Sequence, residues 1–343
     1  RSDINHLLNY SPDSAGSIMT VEYVELKKED SAEEALIKVR KFGKEAETIS
    51  YLFVVDNKRT LVGTIRLRDV IFANPKDTID NLMEHDFVSV FTYDDQEEVA
   101  NIVKRYDLNA IPVTTKDFRL VGIITADDII DVIDEEASED IQKMGAISPL
   151  GEEYLRISVL QMVRKRMPWL FILMISATIT GLIINQYEEV LQHLPALSMF
   201  IPMLMDTAGN SGGQASVLII RGLALGEVST KDYLQVLRKE IGVALIAGIG
   251  LAIFNFAWII GQAQIGMISI TSSVSLYRVA ALVATTLGST VVIAKTVGAT
   301  LPMIAKKINV DPALMAGPLV TTIVDGLALM VYFFLSTRIF MLI

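Results

Sequence analysis

With 343 residues the chain has room for two or three domains, and its formal net charge of −10 is unevenly held. Residues 1–150 carry 30 acidic and 17 basic side chains, whereas 151–343 carry 10 acidic and 13 basic. The acidity argues against nucleic acid as a partner, and the lack of cysteine excludes disulfides, thiolate catalysis and Cys-ligated metals. His6, His85 and His193 stand too far apart for a zinc cluster. The polar opening Arg1-Ser2-Asp3 is not a signal peptide, and residues 1–15 are expected to be a remnant or linker from an absent upstream domain.

A repeat of roughly 60 residues follows. Its first copy has a β-like run Val21 to Leu26, a helix Ala32 to Phe42, strands at Tyr51 to Val55 and Leu61 to Ile65, and a helix from Leu67. The second has Phe87 to Phe91, a helix Gln96 to Tyr106, strands at Ala110 to Val113 and Leu120 to Ile124, and a helix from Ala126. Each reads β-α-β-β-α, and neither buries its apolar faces alone, so the two are expected to pack as a pair. The Val-Gly-[Thr/Ile]-Ile strand, followed by Asp69 or by Asp127 and Asp128, resembles tandem CBS domains at 16–74 and 75–134. That resemblance implies one adenine-nucleotide site, for ATP, at Thr125 with Asp127 or Asp128; Arg66 stands in the Thr position of the first copy. Plain helix capping by the same residues is the alternative.

Beyond residue 163 the chain reads as five apolar spans, at about 166–184, 195–224, 240–262, 277–304 and 313–340. Basic residues alternate between the loops. Arg156, Arg164, Lys165 and Arg166 precede the first span, Lys231, Arg238 and Lys239 follow the second, and Lys306 and Lys307 follow the fourth. Loops 185–194 and 263–276 hold no Lys or Arg. The positive-inside rule therefore predicts a multi-pass plasma-membrane (bacterial inner-membrane) protein, with the soluble domain cytoplasmic and the C-terminus outside.

Two polar interruptions carry the chemistry. Residues 205–216, MDTAGNSGGQAS, bring Asp206, Gly209 and Asn210 into the second span, where Gly and polar residues weaken a lipid-facing helix. Unwound backbone lining a watery cavity is expected, with small-residue helix packing as the alternative. Asp325 lies 13 residues past Pro312, about 20 Å along a helix. A carboxylate at that depth costs about 3 kcal/mol or more on insertion scales, so a role is expected, either functional or as an ion pair with Lys295. Asp311, just before Pro312, reads equally as a helix cap and as a residue at the cytoplasmic mouth. Oxygen donors without thiolate or imidazole suit a hard ion such as Mg2+.

Taken together, the CBS pair, a connecting helix, five spans, the TAGNSGGQAS stretch and VDPALMAGPLVTTIVDG resemble the MgtE family of Mg2+ channels or transporters over essentially the whole chain. The implied fold is an α+β soluble tandem CBS pair, joined by an acidic connecting helix and linker (135–163) to an all-α five-helix transmembrane domain (164–343). The resemblance implies a homodimer in membrane lipid with no protein or nucleic-acid substrate, no enzymatic activity, and a pore binding hydrated Mg2+. The resemblance matches Asp325 and the carbonyls around Gly209 to that pore and Asp311 to a cytoplasmic ion site; Asp206, Asn210 and Thr321 join the expected pore set as polar residues of the same two spans. Gly213, Asp206 and Lys295 depart from the family pattern.

Eight acids and no base lie between Asp127 and Asp140: Asp127, Asp128, Asp131, Asp134, Glu135, Glu136, Glu139 and Asp140. They are read as a regulatory metal face that holds the closed state when Mg2+ is bound, with a merely solvated face as the bland alternative. The competing functions are a CBS-regulated carrier of another solute or of Mn2+ or Co2+, and a membrane enzyme built on Asp206 and Asp325.

Overall fold

Local chemistry sets the elements of the computed structural model, which describes residues 10–151, 154–268 and 275–340. The expected upstream tail lies mostly outside those residues, as does 269–274 of the third loop. After a short helix α1 (Ala15–Ile18) and strand β1 (Glu25–Lys27), Ser31 starts α2 (Ala32–Phe42) through a reciprocal cap. The Glu34 N–H donates to Ser31 Oγ (3.2 Å), and the Ser31 N–H donates to the Glu34 carboxylate (2.8 Å). In the second copy, Asp95 accepts from the Glu97 N–H (2.9 Å) to start α5 (Gln96–Tyr106).

The first copy continues through β2 (Tyr51–Val55), β3 (Leu61–Arg66) and α3 (Leu67–Phe72). The second has α4 (Ile79–Leu82), β4 (Val90–Phe91), α5, β5 (Ala110–Thr114), β6 (Leu120–Thr125) and α6 (Ala126–Met144). Each sheet has three strands in chain order, the first pair parallel and the second antiparallel. Register irregularities fall at corresponding places, Val54/Val55 and Val113/Thr114.

Backbone hydrogen bonds and a shared apolar cluster tie the two copies together. Thr20, ahead of β1, exchanges backbone hydrogen bonds with Ile123 of β6 (2.8 and 2.9 Å). Glu84, ahead of β4, does the same with Thr64 of β3 (2.8 and 3.1 Å). Each copy is thus bonded to the lead-in of the other. Phe53, Val55 and Leu61 share one buried cluster with Ala110, Leu120 and Ile123, and each such large side chain stabilises the pair by about 1.5–3 kcal/mol.

The chain forms two compact units, 1–138 and 139–343, whose boundary lies inside α6. The second unit holds the long helices α7 (Val159–Gln186), α9 (Ile201–Ala224), α10 (Tyr233–Gln264), α11 (Leu276–Lys307) and α12 (Gly317–Phe340), with a short α8 (Glu188–His193) between the first two. Among the described residues four segments are long and apolar enough to cross a membrane: Val159–Gln186, Thr230–Gln264, Leu276–Lys307 and Pro312–Phe340. At 24 residues, or about 36 Å, α9 has the length but not the apolarity. It also starts six residues later than the sequence suggests, because a 3-10 turn occupies Pro195–Phe200.

The expectation of unwound backbone at 205–216 is corrected: α9 is helical throughout that stretch. Close packing repays the glycine penalty. A Cβ on Gly212 would stand 3.0 Å from Val320 Cγ1 and 3.2 Å from the Ala294 carbonyl oxygen, and one on Gly298 of α11 would overlap the Gly212 carbonyl. Substituting Gly298→Val should therefore force α9 and α11 apart, destabilising the bundle by about 1–3 kcal/mol. Thermal unfolding of the detergent-solubilised chain should show a lowered midpoint; an unchanged midpoint would contradict this packing.

Candidate metal centre

Asp325 sits in the third turn of α12, close along the helix to Thr321, Thr322 and Gly326. Its Oδ1 is buried and has no hydrogen-bond partner among the described residues. Helix α9 reaches it at Gly209, where a Cβ would lie 3.5 Å from Asp325 Oδ1 and 2.6 Å from Thr321 Cγ2. Asp206, about one turn earlier on α9, is within electrostatic reach of Asp325. Both threonine hydroxyls donate back along their helix, Thr321 to Gly317 and Thr322 to Pro318 (2.8 Å each). Their donors are thereby used, and their lone pairs stay free to accept.

Next to this point α9 exposes Asp206, Asn210 and Gln214, with open space beside Gly213. The structure thus brings Asp325, Thr321, Gly209 and Asp206 together, with Asn210 one turn on along the same α9 face as Asp206. Gln214, Thr322 and Gly298 are additions that sequence reasoning missed; the spacing of Gln214, four residues after Asn210, is the signal that could have found it. No ion pair joins Lys295 to Asp325 among the described residues, so that alternative is set aside.

Asp311 belongs elsewhere. Its Oδ1 accepts from the Ala313 N–H (2.8 Å), capping the 3-10 turn Pro312–Met315, and its Oδ2 accepts from Lys143 Nζ (2.5 Å) at the end of α6. Lys143 also pairs with Glu139. Burial pulls down the Lys143 pKa, but the bonds to Asp311 and Glu139 outweigh it and the pKa is raised. Burial, and then the Asp311 charge, hold the Asp140 carboxyl above the usual carboxylate range. Gly317, at φ +47°, lets the chain pass under the Met144 carbonyl, while Met144 packs on Ile220, Ala313 and Ala316.

The other acids of α6 do not converge. Asp127, Asp131, Asp134 and Glu135 are exposed, Asp128 accepts from Thr125 Oγ1 (2.6 Å), and Glu136 accepts from Gln96 Nε2 (2.6 Å). The Thr125 hydroxyl also holds the Asp127 carboxyl below its ordinary range. Among the described residues no three His, Asp or Glu side chains are grouped so as to hold a metal ion within one chain. In the first copy Arg66 lies over the Tyr51 ring, 5.8 Å from its centroid, and 3.9 Å from Glu84.

Residues 201–335 match the family model MgtE, described as a divalent cation transporter, and residues 15–76 and 79–135 match the CBS domain. The chain is 37% identical over 332 residues to a magnesium transporter MgtE of Thermus thermophilus, covering 97% of this chain and 71% of that one. This chain belongs to the MgtE family. It is also 35% identical over 336 residues to the magnesium transporter MgtE of Bacillus subtilis, across 96% of this chain and 70% of the relative. Among solved structures, the soluble part of a magnesium transporter is 43% identical with a TM-score of 0.39, over 39% of this chain and 52% of that one. The cytosolic domain of the Mg2+ channel MgtE in complex with ATP is 42% identical with a TM-score of 0.38, over 38% and 53%. The chain therefore spans about half of each of those two structures.

In this MgtE family member the α6 end has a testable pH signature. A raised carboxyl pKa in the fold means that Asp140 contributes most when protonated. That contribution declines as pH rises from the ordinary value of 3.8 through the raised one. The Lys143 contribution runs with the same sign but much higher, full at neutral pH and lost only above its ordinary 10.5. Asp140→Asn should remove the acid-side slope, giving a thermal midpoint above wild type at neutral pH and a converging one near pH 4; parallel curves would contradict it.

Proposed function

We propose that the chain carries Mg2+ across the plasma membrane, with the ion passing beside Asp325. The supporting observation is the buried Asp325 oxygen that has no donor, set at the α9–α12 contact beside the exposed polar residues of α9. An ionised carboxylate with no protein donor is stabilised by a cation or by water. Hydroxyl, amide and carboxylate oxygens without sulfur or imidazole favour a hard ion, and Mg2+, which sheds water reluctantly, suits outer-shell contacts in a roomy passage.

The polar face of α9, with Asp206, Asn210 and Gln214, is unsuited to lipid, and a second copy of this chain across a two-fold axis is its fitting cover. A homodimer would then set two Asp325 carboxylates around one passage. The basic loops favour a cytoplasmic CBS pair and an outside C-terminus in a multi-pass, bacterial inner-membrane arrangement. The exposed acids of α6, with Asp128, Glu136, Glu139 and Asp140, repel their copies in a partner when bare and are held together by divalent cations. Each bridging site contributes about 2.7 kcal/mol at a hundredfold excess over Kd. Two sites nearly invert a 1:99 population, which needs about 5.5 kcal/mol. High internal Mg2+ thus closes the passage. ATP, by the same reading, binds where Thr125 holds Asp128 and Asp127 lies beside it, and the Arg66 side leaves no second site.

In liposomes containing the full chain, Asp325→Ala should abolish Mg2+ flux while elution and helicity are kept; wild-type flux would sink the assignment. Competition by Mn2+ and Co2+ in the same assay ranks selectivity. The triple change Glu135→Gln, Glu136→Gln and Asp140→Asn should leave flux several-fold less sensitive to internal Mg2+, and unaltered inhibition would reject the gating half alone.

A further inference from the structure

Helix α7 carries three consecutive bases near its start, Arg164, Lys165 and Arg166. All three are exposed, and among the described residues none of them makes an ion pair. The helix has no acidic residue from Val159 to Gln186, so no counter-charge comes from its own turns.

Helix geometry gives the depth of these bases. From Met167 to Gln186 the helix holds 20 uncharged residues. At 1.5 Å per residue they span about 30 Å, the thickness of a bilayer's hydrocarbon core. Arg164, Lys165 and Arg166 therefore stand at the level where lipid headgroups begin.

The facing of the helix decides what meets them. One side is packed: a Cβ on Gly326 of α12 would lie 3.5 Å from Ile183 Cδ1, and Ile183, Ile184 and Tyr187 join an apolar cluster of the bundle. The other side is a stripe of exposed residues, Leu160, Arg164, Phe171, Ile175 and Leu182, alternately four and seven apart. Steps of four and seven turn the helix by about +40° and −20°, so all five share one face within about 60°. Only Arg164 among them is polar, with Lys165 and Arg166 on either side of it.

A guanidinium on an apolar stripe, at headgroup depth, fits an anion that carries acyl chains with it. A second copy fits worse, because a two-fold axis along the membrane normal would bring its Arg164 to the same depth, like charge against like. The bases also adjoin the connector from α6. The Ser148 N–H donates to the Lys165 carbonyl oxygen (3.2 Å), and the Leu150 N–H donates to Gln142 Oε1 (2.6 Å).

We propose that Arg164, with Lys165 and Arg166 beside it, binds the phosphate of an anionic phospholipid whose acyl chain lies along Phe171 and Ile175. A headgroup held there fixes the level at which α7 enters the membrane, and with it the segment leading from α6. The proposal rests on α7 crossing a bilayer, and not on which ion the chain carries.

The test puts a reporter on the stripe, Phe171→Trp, in a full chain whose own tryptophans are changed by Trp169→Phe and Trp258→Phe. The chain is reconstituted in phosphatidylcholine vesicles where a minority of the lipid has brominated acyl chains, either as phosphatidylglycerol or as phosphatidylcholine. Brominated phosphatidylglycerol should quench the reporter about threefold more than brominated phosphatidylcholine, and Arg164→Gln should bring the two close together. Arg164→Lys should keep most of the preference, and Arg238→Gln with Lys239→Gln, exposed bases of α10, should leave it unchanged. Equal quenching by the two lipids before any base is changed overturns the proposal. An equal loss from the α10 changes overturns it in favour of a diffuse surface attraction, and quenching by neither lipid overturns it in favour of a second copy on the stripe. Glycerol phosphate in excess should not alter the preference; if it abolishes it, the ligand is a free phosphate ester and the lipid assignment falls. Should Arg164→Gln fail to fold, Lys165→Gln with Arg166→Gln must lower the preference, and an unaltered preference there overturns the site.

Discussion

A carboxylate oxygen enclosed by apolar helices, with no hydrogen-bond donor to answer it, is the constraint around which the membrane unit is organised. Asp325 is expensive to keep there as an anion, and the surrounding residues leave its Oδ1 open rather than quench it. Gly209 lets α9 approach closely enough to set that oxygen against a polar helix face. Gly212 and Gly298 let α11 close behind it. These glycines serve geometry first. They hold in place an acid whose Oδ1 meets no hydrogen-bond donor among the described residues.

The same logic of balanced charge recurs at the end of α6. Lys143 is held between Glu139 and Asp311, so the connecting helix is tied to the turn that begins α12 by an ammonium supplied by the chain itself. Charge-assisted hydrogen bonds of this kind are worth roughly 1.5–3 kcal/mol, comparable to one divalent site at a hundredfold excess. The tie between the connecting helix and that turn therefore exists without any added cation. Asp140, pressed into the same place and disfavoured as an anion, is the group whose charge works against that contact.

How much of this was visible in the sequence depended on whether the cause was local. Helices α2 and α5 begin and end where the sequence puts them, because Ser31, Glu34 and Asp95 carry their own start signals. Strand β1 is set four residues later than Val21, since its limits come from parallel pairing with β2 and not from its own apolar run. The polar stretch 205–216 reads as broken helix because what rescues it, the close approach of Val320, Ala294 and Gly298, lies about 80 to 120 residues away. Lys143 and Asp311 are 168 residues apart and gave no sign of pairing. Asp325 and Asp206 drew notice in the sequence because polarity inside an apolar span is itself a signal, and the structure sets them near each other at the α9–α12 contact.

The most direct test of the central idea is to locate the ion. In crystals of the full chain grown with Mn2+ in place of Mg2+, an anomalous difference peak within about 5 Å of the Asp325 carboxylate, the reach of a hydrated ion, is the predicted result. A map with no peak there and the carboxylate hydrogen-bonded to a protein donor would contradict the account.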